Sequence, residues 1–320
     1  MDIGIVGTNF ISEWFVAACR AGSGRVRPTA VCSRDAARGA EFAARMDLPR
    51  SFTTVEEMCE AVDAVYIASP TSAHHAQAMA AIEAGRHVLI EKEMAASDAE
   101  AEAIFAAAER RGVVAMEAAR HLHTPAFREF RRAIGDVGTV RYAHFEMLQY
   151  SSRYGRFLAG EHVNAFDPTL GNAAIVDIGF YPLSAALECF GTAPASQSGG
   201  SYWLHNGFEG GGSIQLGYEG LLVDVAYSKI VSAVGATTVH GEEGTLTVNA
   251  VAEPSRVELH RRGQDPVVLV DTPPVTPADT MIHELDVFAD QVDAGRVDPH
   301  WRDISLAVRR IMDAHLASVR

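Results

Sequence analysis

Lys92 stands between Glu91 and Glu93, directly after the apolar run His87-Val88-Leu89-Ile90. An ammonium at the tip of a buried strand can donate to a substrate oxygen and favour proton loss from a neighbouring acid. The same tripeptide also reads as a surface lysine with two acidic neighbours. Farther along, Asp177 and Tyr181 are four residues apart in a stretch of helical spacing, which puts both on one helix face. A free tyrosine has a pKa of about 10, too high for an efficient base at neutral pH. A nearby cation favours the phenolate, which then takes a proton from a hydroxyl and, in reverse, protonates a forming alkoxide. The plain alternative is a core aromatic with one hydrogen-bonded hydroxyl.

The N-terminal stretch offers a different chemistry. Ile3-Gly4-Ile5-Val6 reads as a buried parallel strand, Gly7 ends it, and a helical pattern from Phe10 carries Ile11, Trp14, Phe15 and Ala18. Strand, glycine turn and helix present N–H groups and a positive dipole end to a diphosphate. The dinucleotide fingerprint asks for three small residues, and its positions hold Gly7, Asn9 and Ser12, so only the first glycine is intact. An ordinary βα turn is the competing reading. Gly7, Thr8, Asn9, Phe10 and Ile11 are the candidate diphosphate contacts, with the Asn9 side chain expected to crowd or hydrogen-bond the ligand. Ser33 and Arg34 end the second strand, and Arg38 follows one helical turn later on the same face. A hydroxyl and two guanidinium groups suit a 2′-phosphate and favour NADP, while Asp35 keeps NAD open by opposing that phosphate or taking the ribose. Ser69, Pro70 and His74 follow another strand, and with Glu91 and Arg120 they complete the candidate cofactor contacts. His74 reads equally well as a polar helix face.

The elements that must position these residues alternate strand and helix from Met1 to about Glu117, which implies parallel strands with ligands at their C-terminal ends. From Ala195 to Val270 short period-2 strands follow one another without helices, which implies a mostly antiparallel sheet. The expected fold is α/β: a doubly wound dinucleotide-binding domain over 1–118 and an α+β substrate and dimerisation domain over 119–320. Helices at 126–134 and 174–190 can cover only one face of the second sheet. The other face, expected to carry Val223, Val225 and Tyr227, would need a partner, so a homodimer or homotetramer is expected. His121 and the loop residues Tyr150, Arg153 and Asn164 are candidate contacts to a hydroxyl-rich substrate, although surface decoration explains the loop residues as well.

This ordered set resembles the glucose–fructose oxidoreductase/inositol dehydrogenase (GFO/IDH/MocA) family. The resemblance rests on Gly7-Thr8-Asn9-Phe10-Ile11-Ser12, Ser69-Pro70-Thr71-Ser72-Ala73-His74, Glu91-Lys92-Glu93 and Gly171 to Pro182, and covers nearly the whole chain. Glu93 replaces the usual Pro, and Tyr181 replaces the His of many members, as in the dihydrodiol dehydrogenase-like branch. The resemblance implies a Rossmann domain and an NAD(P)-dependent oxidoreductase that moves a hydride between nicotinamide and a secondary alcohol or carbonyl of a sugar, polyol or cyclic diol. It further implies Tyr181 as acid/base beside Lys92, with Asp177 orienting the substrate or Lys92. A regulatory protein that binds the dinucleotide without turnover is the alternative, against which the presence of both Lys92 and Tyr181 argues.

Composition sets the outer limits. At 320 residues two domains are the default, and a net charge of −14 argues against nucleic acid and anionic membranes as partners. Cys19, Cys32, Cys59 and Cys189 are scattered without a paired spacing, so neither a zinc site nor a disulfide framework is expected. No export signal or apolar stretch of membrane-spanning length is visible, and a cytoplasmic location is expected.

Overall fold

Six short strands build the first sheet, and all but the three-residue edge strand are mostly apolar and buried on both faces. The computed structural model describes residues 1–319, and they group into two units: Met1–His123 with Thr276–Leu306, and Thr124–Val275 with the chain from Ala307 onward. The first unit runs β1 (Asp2–Val6), α1 (Phe10–Ala21), β2 (Arg27–Cys32), α2 (Ala36–Arg45), β3 (Arg50–Phe52), α3 (Val55–Cys59), β4 (Ala64–Ile67), α4 (His74–Glu83), β5 (His87–Glu91), α5 (Asp98–Arg111) and β6 (Ala115–Ala118). All pairings are parallel and the strand order is β3-β2-β1-β4-β5-β6. That is the Rossmann order, whose ligand crevice lies where the order reverses, beyond the ends of β1 and β4. Alternation along the strands splits the core in two. Val6, Val65, Ile67 and Ile90 face α3, α4 and α5, while Ile3, Ile5, Val31 and Leu89 face the side of α1 and α2.

The second unit contains α6 (Pro125–Ala133), β7 (Val140–Leu148), α7 (Tyr154–Leu158), α8 (Phe180–Phe190), β8 (Ser196–Trp203), β9 (Glu209–Tyr218), β10 (Leu221–Ser228), β11 (Thr237–Gly241), β12 (Gly244–Val248), β13 (Arg256–Arg261) and β14 (Val267–Asp271). The eight strands form one sheet in the order β14-β13-β12-β11-β7-β10-β9-β8, antiparallel except for the β7–β10 pair. Two helices close the chain, α9 (Pro277–Ala294) and α10 (Pro299–Ser318). Met281, Leu285, Phe288 and Ala289 of α9 join the core on the α1 side of the first sheet. The chain therefore returns to its first unit after Thr276, whereas the sequence suggested one continuous second domain over 119–320.

The second sheet corrects the expected open face. Val223, Val225 and Tyr227 are at most 1% exposed and lie on the covered side, where the Tyr227 ring packs against Gly179 at the head of α8. The more apolar of the two alternating sets faces the helices, because burying it removes more hydrocarbon from water. The outer set is mixed: Tyr142 and Leu222 are exposed beside His144, Glu146, Asp224, Thr238 and His240. His144 contacts Asp224 through Nδ1 at 2.9 Å and Glu146 through Nε2 at 3.2 Å, and the Asp224 hydrogen bond leads the effects that raise its pKa.

Candidate functional site

The turn after β1 shows how the incomplete glycine fingerprint works. Gly7 has φ +111°, and a Cβ there would lie 2.7 Å from the Ala68 carbonyl oxygen, so glycine is required twice over. Asn9 is the N-cap of α1: its Oδ1 accepts from the N–H groups of Ile11 (3.0 Å) and Ser12 (3.2 Å), and its Nδ2 donates to the Ala68 carbonyl (2.8 Å). Ser12 Oγ in turn donates to the Gly7 carbonyl at 3.0 Å. The Asn9 side chain thus ties the turn to the end of β4 and caps the helix, where the sequence reading had it meet the diphosphate. Ile11 likewise gives its N–H to this cap. The N–H groups of Thr8 and Phe10 make no hydrogen bond to the described residues and sit at the positive end of α1.

A cleft of about 1140 Å³ opens at this turn, lined by Gly7, Thr8, Asn9, Ser33, Arg34, Arg38, Ser69 and Pro70 among others. Eight of the expected cofactor contacts are therefore brought together. Arg34 and Arg38 are exposed and form no ion pair among the described residues, while Arg45, farther along α2, is held by Glu13 at 2.7 Å. The Asp35 carboxylate caps α2 by accepting from the Arg38 N–H at 3.1 Å, which fixes it at the helix start. Two guanidinium groups without an ion pair among the described residues and a hydroxyl, lining one cleft with a helix N-terminus, fit a dinucleotide whose ribose carries a 2′-phosphate.

Other expected contacts are committed elsewhere. His74 is 1% exposed and bridges two loops, with Nδ1 2.9 Å from the Glu93 carbonyl and Nε2 2.8 Å from that of Ser69. It is a tie between the two strand-tip loops and does not line the cleft; burial lowers its pKa. The Glu91 carboxylate accepts from the buried Tyr66 hydroxyl, and desolvation raises its pKa. Arg120 donates to Thr280 Oγ1 of α9 at 2.7 Å. His121 is fully buried. Phe10 stays half exposed and packs edge-on against Trp14.

Lys92 follows β5 at the sheet's C-terminal edge, and the Lys92–Glu93 peptide bond is cis. The loop beyond it is pinned by the Glu117 carboxylate, which accepts from the Met94 N–H at 2.7 Å, and by His74 on Glu93.

In the second unit, Asp177 lies in a π-helical turn, Ile175–Gly179, that runs directly into α8 with Tyr181 in its first turn. Single π-turns of this kind concentrate at functional sites. The Ile175 N–H donates to Glu209 Oε2 at 2.8 Å, and Glu209 Oε1 accepts from Tyr227 (2.5 Å) and Ser201 (2.8 Å). Asp177 pairs with Lys229 at 2.8 Å. Neither Glu209 nor Lys229 stood out in the sequence, since each is an isolated charge in a strand pattern. Tyr150 and Arg153 are exposed at the start of the 150–172 segment, and Asn164 accepts through its carbonyl from Asn172 Nδ2 at 2.7 Å.

Residues 1–119 match the model of an oxidoreductase family with an NAD-binding Rossmann fold, and residues 127–247 match the GFO/IDH/MocA C-terminal domain. The chain is 35% identical to an NADP⁺-dependent scyllo-inositol 2-dehydrogenase of Bacillus subtilis, over 97% of this chain and 94% of that protein. It is 28% identical to a trans-1,2-dihydrobenzene-1,2-diol dehydrogenase of Xenopus laevis, over 77% of this chain and 74% of the relative. Among solved structures, a 3-ketoreductase from Actinomadura kijaniata, in complex with NADP and TDP-benzene, superposes with a TM-score of 0.85. That likeness spans 100% of this chain and 98% of the other at 24% identity, and shows the fold. The chain belongs to the GFO/IDH/MocA family and is an NAD(P)-dependent oxidoreductase.

Proposed function

We propose that this family member is an NADP(H)-dependent dehydrogenase or reductase of a cyclic polyol, sugar or cyclic diol, acting at a secondary alcohol or its ketone. The observation that carries the cofactor choice is the pair of arginines without an ion pair among the described residues, Arg34 and Arg38, lining the first unit's cleft with Ser33. The near full-length similarity to an NADP⁺-dependent inositol dehydrogenase supports both cofactor and substrate class.

When bound, the nicotinamide supplies or accepts the hydride. The chain's own residues manage the proton. Tyr181 takes the proton of the substrate hydroxyl during oxidation and returns it to the forming alkoxide during reduction. Lys92 donates a hydrogen bond to the same kind of oxygen and, as a cation, stabilises negative charge on it. Asp177 orients the hydroxylated substrate, with Tyr150, Arg153 and Asn164 as further contacts. Thr8, Asn9 and Phe10 supply main-chain donors to the diphosphate, and Arg34 and Arg38 hold the 2′-phosphate. Fluorescence titration with NADPH and NADH, followed by turnover on scyllo-inositol, myo-inositol, aldoses and a cyclic diol, tests the reading. Tighter binding of NADPH with oxidation of at least one cyclic polyol is expected; preference for NADH would overturn the cofactor choice.

The chain's outer β-sheet face, with Tyr142 and Leu222 exposed among polar residues, is proposed as a homodimer surface. Sedimentation should give a dimer that Leu222→Arg dissociates; a monomeric parent protein would contradict this. Among the described residues no helix is long and apolar enough to cross a membrane.

A further inference from the structure

Lys229 follows β10, is the only lysine of its unit and places its ammonium between two aromatic rings. Its side chain is 5% exposed, and its ammonium lies 5.1 Å from the centre of the Phe166 ring and 5.4 Å from that of Phe208. It donates to the Ala165 carbonyl at 2.9 Å and pairs with Asp177 Oδ2 at 2.8 Å. A buried ammonium must have its charge compensated, and here the counter-charge comes from the π-turn ahead of Tyr181. The Asp177 side chain is 48% exposed and meets Lys229 through Oδ2.

We propose that Lys229 is a positioning residue of the active site: its one ammonium fixes the Asp177 carboxylate and clamps the 163–167 segment, so that the substrate loop and the Asp177/Tyr181 helix hold a single geometry. Two anchors then define the π-turn. Glu209 holds it from the Ile175 N–H and Lys229 holds it from the Asp177 carboxylate. The 163–167 segment has the same two-sided attachment, because Phe166 packs with Phe157 and Phe208 in a small aromatic core while Ala165 is bonded to Lys229. Neutral hydroxyls of a polyol gain strength from an acceptor held in place before binding, and a misplacement of about 1 Å can cost 100-fold in rate. Lys229 acts through Asp177 and the 163–167 segment and touches no reacting atom.

The inference rests on the reading that Asp177 and Tyr181 belong to the active site. Lys229→Met is the test variant, since it preserves the buried stem and takes the ammonium from the half-exposed Asp177 carboxylate and the Ala165 carbonyl. With scyllo-inositol and NADP⁺, Lys229→Met should lower kcat/KM about 10- to 100-fold, while the NADPH dissociation constant stays within about twofold of the parent. The Lys229→Met/Asp177→Asn double variant should lose less than the product of the two single losses, because the lysine acts in large part through that carboxylate. Hydrogen exchange followed by mass spectrometry should show residues 163–167 and 175–179 losing protection together in Lys229→Met. Effects that multiply in the double variant, or a loss of protection in one segment only, overturn the proposal. A Lys229→Met enzyme as fast as the parent while Tyr181→Phe is inactive overturns it as well and leaves the functional reading standing. Should Tyr181→Phe turn over normally, the functional reading fails, and the exchange result alone decides whether Lys229 couples the two segments.

Discussion

Replacing Arg34 by alanine removes one of two guanidinium groups that line the first unit's cleft without an ion-pair partner. Because no carboxylate among the described residues neutralises it, the free protein loses little, and the cost falls on the bound phosphate. A hydrogen bond to a charged group contributes about 1.5–3 kcal/mol, which corresponds to roughly a 10- to 150-fold weaker NADPH complex at about 1.4 kcal/mol per tenfold. The exposure of Arg34 places the expected value toward the lower end, and added salt should narrow it. NADH carries no 2′-phosphate, so its dissociation constant should change less than about threefold. Fluorescence titration of both cofactors against parent and variant measures the two numbers directly. Equal losses for NADPH and NADH would refute the argument, since they would mean that Arg34 supports the cleft without reading the phosphate. Arg38→Ala should repeat the pattern, and the double variant should bring the two cofactors close to parity.

Asn9→Ala removes the acceptor of two helix N–H groups and the donor to Ala68, and should lower stability by about 1 kcal/mol (range about 0.5–2). Urea unfolding checks this, and an unchanged midpoint together with weakened cofactor binding would return the Asn9 side chain to the diphosphate. Glu284, fully buried on α9, has neither oxygen hydrogen-bonded among the described residues, and burial pushes its pKa well above the usual carboxyl value of 4.5. The folded state therefore keeps a proton that the unfolded chain releases, and stability falls as pH rises above that ordinary value. Glu284→Gln should raise the thermal midpoint by a margin that grows from pH 5 to pH 8, about 2–4 °C for each kcal/mol relieved. A margin independent of pH would contradict a buried neutral carboxyl.

Much of this was legible in the residues. The run Ile3–Val6 read as a strand buried on both faces, and Gly7 as its end, where the structure brings the backbone close to the Ala68 carbonyl. Ser33, Arg34 and Arg38 were found by spacing alone, and they line one cleft with the glycine turn. The capping role of the Asn9 side chain was missed because two physical preferences of asparagine compete, tolerance of tight turns and N-capping. The strand β3 and helix α3, three and five residues long, lack enough periods to show a pattern. His74 and His121 went to the interior because a histidine's polar atoms can be met by carbonyls or buried groups, a long-range matter that local sequence does not encode. The pairing of Lys229 with Asp177 spans 52 positions and depends on how β10 and the π-turn are brought together. The orientation of Val223, Val225 and Tyr227 was recoverable from the alternation itself, had the more apolar set been assigned to the covered face.

The assignment of Tyr181 as the proton-transfer group is tested most directly by Tyr181→Phe, assayed for NADP⁺-dependent oxidation of cyclic polyols with NADPH affinity measured alongside. The loss of one hydroxyl should lower kcat about 100- to 10,000-fold, the range for general acid–base catalysis, with NADPH binding unchanged. Turnover within a few-fold of the parent enzyme would contradict the mechanism and remove Tyr181 from the chemistry.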